Sequence, residues 1–134
     1  MANEEKSEIS GVKRKILIID DDKIISEMYA TKFIKEGFEV SVAYDGKNAI
    51  GKIEEVNPDA ILLDLVMYPL DGFGVLEEIN KKFGKQKYKI IILSNLGQKE
   101  DIERGMELGA ANFIVKANST PSKVVERVEE MLGG

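Results

Sequence analysis

Ile16-Leu17-Ile18-Ile19-Asp20-Asp21-Asp22 sets four apolar residues directly against three carboxylates. A short unbroken apolar run reads as a strand buried on both faces, the usual condition of a parallel sheet. The acidic cluster then falls at the C-terminal end of that strand, the edge where open α/β sheets bind ligands. Ala60-Ile61-Leu62-Leu63-Asp64 repeats the arrangement. If the two strands are neighbours, Asp20, Asp21 and Asp64 converge. Carboxylates crowded in this way repel one another, and a cation relieves the repulsion.

Working outward, the first strand covers about Lys15 to Ile19. Asp22 is a cap for a helix with Ile24, Ile25, Met28, Tyr29 and Phe33 at helical spacing, ended by Gly37. Phe38 to Ala43 alternates as a second strand, and Asp45-Gly46 opens a helix to about Val56. After the turn Asn57-Pro58-Asp59 comes the third strand, Ala60 to Leu63. Asp64 to Leu70 reads as a loop, and Asp71 caps a helix from Gly72 to about Phe83. Tyr88 to Leu93 is the fourth strand, followed by a loop from Ser94 to Lys99 and a helix from Glu100 to Leu108 with a thin apolar stripe, Ile102 and Met106. Ala111 to Val115 is the fifth strand, and Lys116 to Ser119 a loop. Thr120 caps the last helix, and Pro121 occupies its first position, where a missing N–H costs nothing. Five alternations of strand and helix imply parallel strands with helices on both faces, because each crossover is right-handed.

The chain has 134 residues, one ordinary domain, with 43% hydrophobic and 32% charged residues. We divide it into a disordered polar tail, residues 1–12, and a single domain, residues 13–132. The net charge of −5 argues against a large phosphate-binding face, so no nucleic acid is expected as partner. There is no cysteine and no histidine. Thiolate chemistry is excluded, and so are the commonest general base and transition-metal ligand, which leaves a hard cation held by oxygen. No apolar run approaches the roughly 20 residues of a membrane helix, and Met1 to Ser10 lacks the apolar core of a signal peptide. The expectation is a soluble, cytoplasmic protein.

Polar residues stand at four strand ends: Asp20 and Asp21 after the first, Asp64 after the third, Ser94 after the fourth, Lys116 after the fifth. Ser94 and Lys116 follow Asp64 by 30 and 52 positions. This set in register resembles the receiver domain of bacterial two-component response regulators, of the single-domain chemotaxis type, over about Lys13 to Leu132. The resemblance implies a flavodoxin-like, doubly wound α/β fold. Its five-stranded parallel sheet has the order 2-1-3-4-5 and its switch point between strands one and three. It implies that Asp64 is the phosphoacceptor. Asp21, Asp64 and the backbone carbonyl of Val66 would ligate Mg²⁺, with Asp20 acting through a water. Ser94 would hydrogen-bond the phosphoryl group and Lys116 would pair with it. Phe113 stands where the family keeps an aromatic switch, so the face of the fourth helix, fifth strand and fifth helix is expected to respond.

That resemblance implies a phosphorylation-dependent switch. The phosphoryl group would come from a histidine kinase or phosphotransfer protein, and the product would dock on a downstream effector or relay the phosphate. Such a protein is no enzyme in the usual sense, since it catalyses only its own phosphorylation and dephosphorylation. With only Gly133-Gly134 after the last helix, we expect a stand-alone receiver, a monomer at rest with dimerisation open to the active state. The alternatives are a receiver excised from a longer regulator and a pseudo-receiver that binds partners without phosphorylation. A phosphatase of the haloacid dehalogenase type would want a second aspartate two residues after the nucleophile, where Val66 stands. Three positions depart from the family pattern, one of them Asn95 after Ser94, where a small residue is common. Ala117 replaces the proline after the lysine, which leaves either a trans bond with a rearranged loop or a strained cis bond. Met67-Tyr68-Pro69 places the loop proline one position late. Asn95 and Val66 flank the phosphate and are expected to tune its lifetime.

Overall fold

A computed structural model describes residues 13–133 of the chain, so the expected tail at 1–12 lies outside the described residues. The elements are β1 (Lys15–Ile19), α1 (Lys23–Lys35), β2 (Glu39–Ala43), α2 (Gly46–Val56), β3 (Ala60–Leu63), α3 (Gly72–Phe83), β4 (Lys89–Ser94), α4 (Lys99–Glu107), β5 (Asn112–Val115) and α5 (Pro121–Met131), with a 3-10 turn at Lys116–Asn118. The strands form one five-stranded sheet of order β2-β1-β3-β4-β5, and every neighbouring pair is parallel. The expected fold class is the observed one.

The period of two along each strand divides the core between the two faces. Leu17, Ile19, Ile61, Leu63, Ile90 and Ile92 pack with Ala49 and Ile53 of α2 and Val75, Leu76 and Ile79 of α3. Ile16, Ile18, Leu62, Ile91 and Leu93 turn the other way, onto Tyr29 and Phe33 of α1 and Val124, Val125 and Val128 of α5. Each such side chain contributes about 1.5–3 kcal/mol by leaving water, which makes the central strands the anchor of the domain. Four helices begin on the caps read from the sequence. Asp22 accepts from Ile25 N at 3.0 Å, Asp45 from Asn48 N at 2.7 Å, Asp71 from Gly74 N at 2.8 Å and Thr120 from Lys123 N at 3.2 Å. No helix among the described residues is long and apolar enough to cross a membrane.

Several local expectations are corrected. Ile24 and Met28 do not share the buried face of α1; Ile24 is 81% exposed, whereas Tyr29, Phe33 and the small Ser26 are buried. The helix is apolar on two sides; Tyr29 and Phe33 are the side that packs on the sheet, and Phe33 meets Phe38, just before β2, edge-to-face at 5.2 Å. β4 is shifted by one residue from the expected Tyr88 to Leu93. Tyr88 turns off the sheet to pack edge-on against Phe83, and its hydroxyl donates to Asn57 Oδ1 at 3.2 Å. At the other end Ser94 pairs with Val115, so it belongs to the strand and not to the loop. Lys116 to Ser119 contains a 3-10 turn, and the Lys116–Ala117 bond is trans. Among the described residues the cis peptide is Tyr68–Pro69.

Candidate functional site

Register builds the site. Ile19 is level with Leu63, and Asp64 N donates to the Ile19 carbonyl at 3.0 Å, so Asp20 and Asp64 leave adjacent strands at the same height. Asp20, Asp21 and Asp64 each offer a carboxylate oxygen, and these lie within 4.8 Å of one another. Asp20 and Asp64 are buried and Asp21 is exposed. The pocket is therefore two sunken carboxylates with one at the mouth. Lys116, one residue beyond β5, reaches across β4 to this pair. Its Nζ lies 3.1 Å from Asp20 Oδ2 and 3.7 Å from Asp64 Oδ2. Ala117 thus leaves the lysine seated even with a trans bond beside it.

The other predicted residues surround this centre. Val66, exposed on the loop after β3, donates its N–H to Asp64 Oδ1 at 3.3 Å. The Ser94 side chain is fully buried, and its Oγ accepts from Leu96 N at 3.3 Å, pinning the start of the β4–α4 loop. Phe113 is half-buried in the core face beneath α4 and pairs in register with Ile92. Asn95 and Tyr68 are exposed, Tyr68 to 86%.

Two residues of the site were not singled out from sequence. Gly72 begins α3 directly beneath the acceptor. Its N–H donates to the Leu65 carbonyl at 2.9 Å, and a Cβ there would collide with the Asp64 carbonyl oxygen and lie 2.7 Å from Leu65 Cα. A glycine following a capping aspartate was the available signal. Tyr29 is buried on α1 within electrostatic reach of Lys116 and Asp20. Helical spacing marked it as core and carried no hint of that placement.

Burial pushes the Asp64 carboxyl above its usual range. Lys116 opposes this, Asp20 adds to it, and the Val66 N–H and Ser94 favour the ionised form without reversing the shift. For Lys116, burial disfavours the ammonium, but Asp64 and Asp20 outweigh it and its pKa rises. A carboxyl raised above its unfolded value adds stability that is fully present below the unfolded pKa and is lost as pH rises through the folded one. Asp64→Asn removes the buried charge. In EDTA at pH 7 it is expected to stabilise the domain by roughly 1 kcal/mol, with the advantage fading as pH falls toward the unfolded carboxylate range. Urea melts of both proteins across that pH range would check this; an advantage growing toward acid would contradict it.

The donor set is one a hard divalent cation takes: carboxylate oxygens in a cluster, with no cysteine or histidine in the chain. Comparison with known proteins agrees with this arrangement. The sequence profile of the response regulator receiver domain matches residues 16–129. The receiver domain of Francisella response regulator 1452 superposes with a TM-score of 0.81 at 32% identity, over 90% of this chain and 97% of that one. A CheY-like receiver protein of Methanospirillum hungatei gives a TM-score of 0.82 at 27% identity, over 90% and 94% of the two chains. The CheX-CheY-BeF3-Mg²⁺ complex of Borrelia burgdorferi gives 0.84 at 29%, over 93% of each. A profile matching most of the chain, on a fold and pocket of this design, places the protein in the response regulator receiver domain family of two-component signalling.

Proposed function

We propose that the chain, residues 13–132 acting as one receiver domain, is a phosphorylation-dependent switch with Asp64 as acceptor. The observation that carries this reading is the carboxylate of Asp64 held among Asp20, Asp21 and the ammonium of Lys116. A carboxylate is ionised at neutral pH and needs no general base, which suits a chain without histidine. An Asp64 oxygen attacks the phosphorus of a phosphohistidine on a histidine kinase or phosphotransfer protein. The P–O bond to Asp64 forms as the P–N bond breaks, and the imidazole leaves. Charge spreads over the equatorial phosphoryl oxygens, so positioning and neutralisation supply most of the catalysis.

Asp20, Asp21, Asp64 and the Val66 carbonyl would hold Mg²⁺, which when bound neutralises phosphoryl charge on one side of the pocket. Lys116 exchanges its contact with Asp64 for one with the phosphoryl oxygens, as a point charge on a long stem allows. Ser94 hydrogen-bonds the same group, at about 1.5–3 kcal/mol for a bond to a charged partner. Its movement would release Leu96 N and hence the β4–α4 loop. Phe113, paired with Ile92 next to that loop, then has space to turn. The face of α4, β5 and α5 is the readout by which an effector is bound or phosphate relayed. The protein is a cytoplasmic monomer at rest, and its only chemistry is its own phosphorylation and hydrolysis.

Intact mass after incubation with Mg²⁺ and acetyl phosphate tests this. The wild type is expected to gain one phosphoryl group, and EDTA or Asp64→Asn to abolish the gain. No gain in the wild type with Mg²⁺ present would overturn the proposal and leave a binding module of receiver shape.

A further inference from the structure

The segment from Asn95 to Glu107 has little hold on the sheet. Within α4 the one buried residue is Gly105, and Ile102 and Met106 face solvent. The segment rests on the sheet through glycines. A Cβ on Gly97 would lie 2.7 Å from Val115 Cγ2, and one on Gly105 2.5 Å from Ile92 Cδ1 and 3.4 Å from Phe113 Cδ2. Close backbone approach of this kind seats a helix but contributes few side-chain contacts to hold it there.

Two side-chain contacts tie α4 to α3: at the helix end Asn80 Nδ2 donates to the Leu108 carbonyl at 2.7 Å, and within the helix Arg104 reaches across. The Arg104 guanidinium lies over the Phe73 ring, 4.3 Å from its centroid, and its Nη2 is 3.5 Å from Glu77 Oε1. Both partners are on α3. Phe73 directly follows Gly72, whose N–H is bonded to the loop carrying Asp64. Arg104 therefore ties the loosest helix to the element that abuts the acceptor. This contact is separate from Ser94 and Phe113.

We propose that Arg104 on Phe73 and Glu77 is a latch that holds α4 in its resting position and opposes the activated state. The inference rests on the phosphoacceptor reading of Asp64. An element whose equilibrium is biased from both ends couples them, and the coupling is reciprocal for binding free energies. Releasing the latch should loosen α4 and, by the same factor, tighten the binding of a phosphoryl mimic at Asp64.

The test compares wild type, Arg104→Ala and Glu77→Gln in the full chain. Amide exchange over residues 99–107 reads the position of α4, and calorimetric titration with beryllofluoride and Mg²⁺ reads the pocket. Arg104→Ala is expected to speed exchange in α4 about fivefold and to tighten beryllofluoride binding by a similar factor. Glu77→Gln lies on α3, so a change in the helix propensity of α4 itself cannot explain its effect; it should move both readouts the same way, about twofold. Exchange unchanged in both variants, or raised equally over the whole domain, would overturn the latch. Faster exchange in α4 without tighter binding would overturn its coupling to the pocket. Failure of the wild type to bind beryllofluoride at all would instead defeat the phosphoacceptor reading, and the coupling with it.

Discussion

Gly72→Ala should destabilise the domain by about 2–3 kcal/mol, the cost of forcing a methyl group into a closed contact. The obstacle is backbone, the Asp64–Leu65 peptide unit: the carbonyl oxygen of Asp64 and the Cα of Leu65. Neither can rotate aside as a side-chain tip would. The loop after β3 or the first turn of α3 must move, and the hydrogen bond from Gly72 N to the Leu65 carbonyl must stretch. The loss should appear as a lower urea midpoint with an unchanged slope, since the folded surface is little altered. Displacing Asp64 should also weaken Mg²⁺ binding. A variant of wild-type stability would mean that the loop is softer than the geometry implies.

Lys116→Ala is expected to cost about 2–4 kcal/mol in EDTA near pH 7.5, because it leaves two buried carboxylates without their cation. Asp20 and Asp64 would then face each other across the gap that the ammonium fills at 3.1 and 3.7 Å. Two rescues should distinguish this cause from a packing defect. Saturating Mg²⁺ supplies the missing charge and should restore most of the loss, since a ligand at a hundred times its Kd contributes about 2.7 kcal/mol. Acid should restore it too. Without the lysine the Asp64 pKa rises further, so its contribution is complete below the unfolded pKa and is lost as pH climbs through the folded one. The deficit should therefore shrink as pH falls. Thermal melts in EDTA, in Mg²⁺ and across pH would show the pattern; a deficit indifferent to both metal and pH would refute the electrostatic account.

The amino-acid sequence by itself determined the alternation of strand and helix, the capping aspartates and the parallel sheet. These follow from local rules: apolar runs for strands buried on both faces, carboxylates before helix N–H groups, and right-handed crossovers. It also put Asp20, Asp64, Ser94 and Lys116 at strand ends, because a strand's end can be read from where its apolar run stops. Side-chain facing on α1 was not legible. Ile24 and Met28 are as apolar as Phe33, and only the packing of Tyr29 and Phe33 against the sheet and α5, with Phe38 edge-on to Phe33, shows which side is buried. The reach of Lys116 across β4, the collision awaiting a side chain at Gly72, and the clasp of Arg104 on α3 join residues distant in the chain. Local periodicity carries no information about such distances. They depend on strand order, register and the close approach of backbones, which only the folded chain brings about.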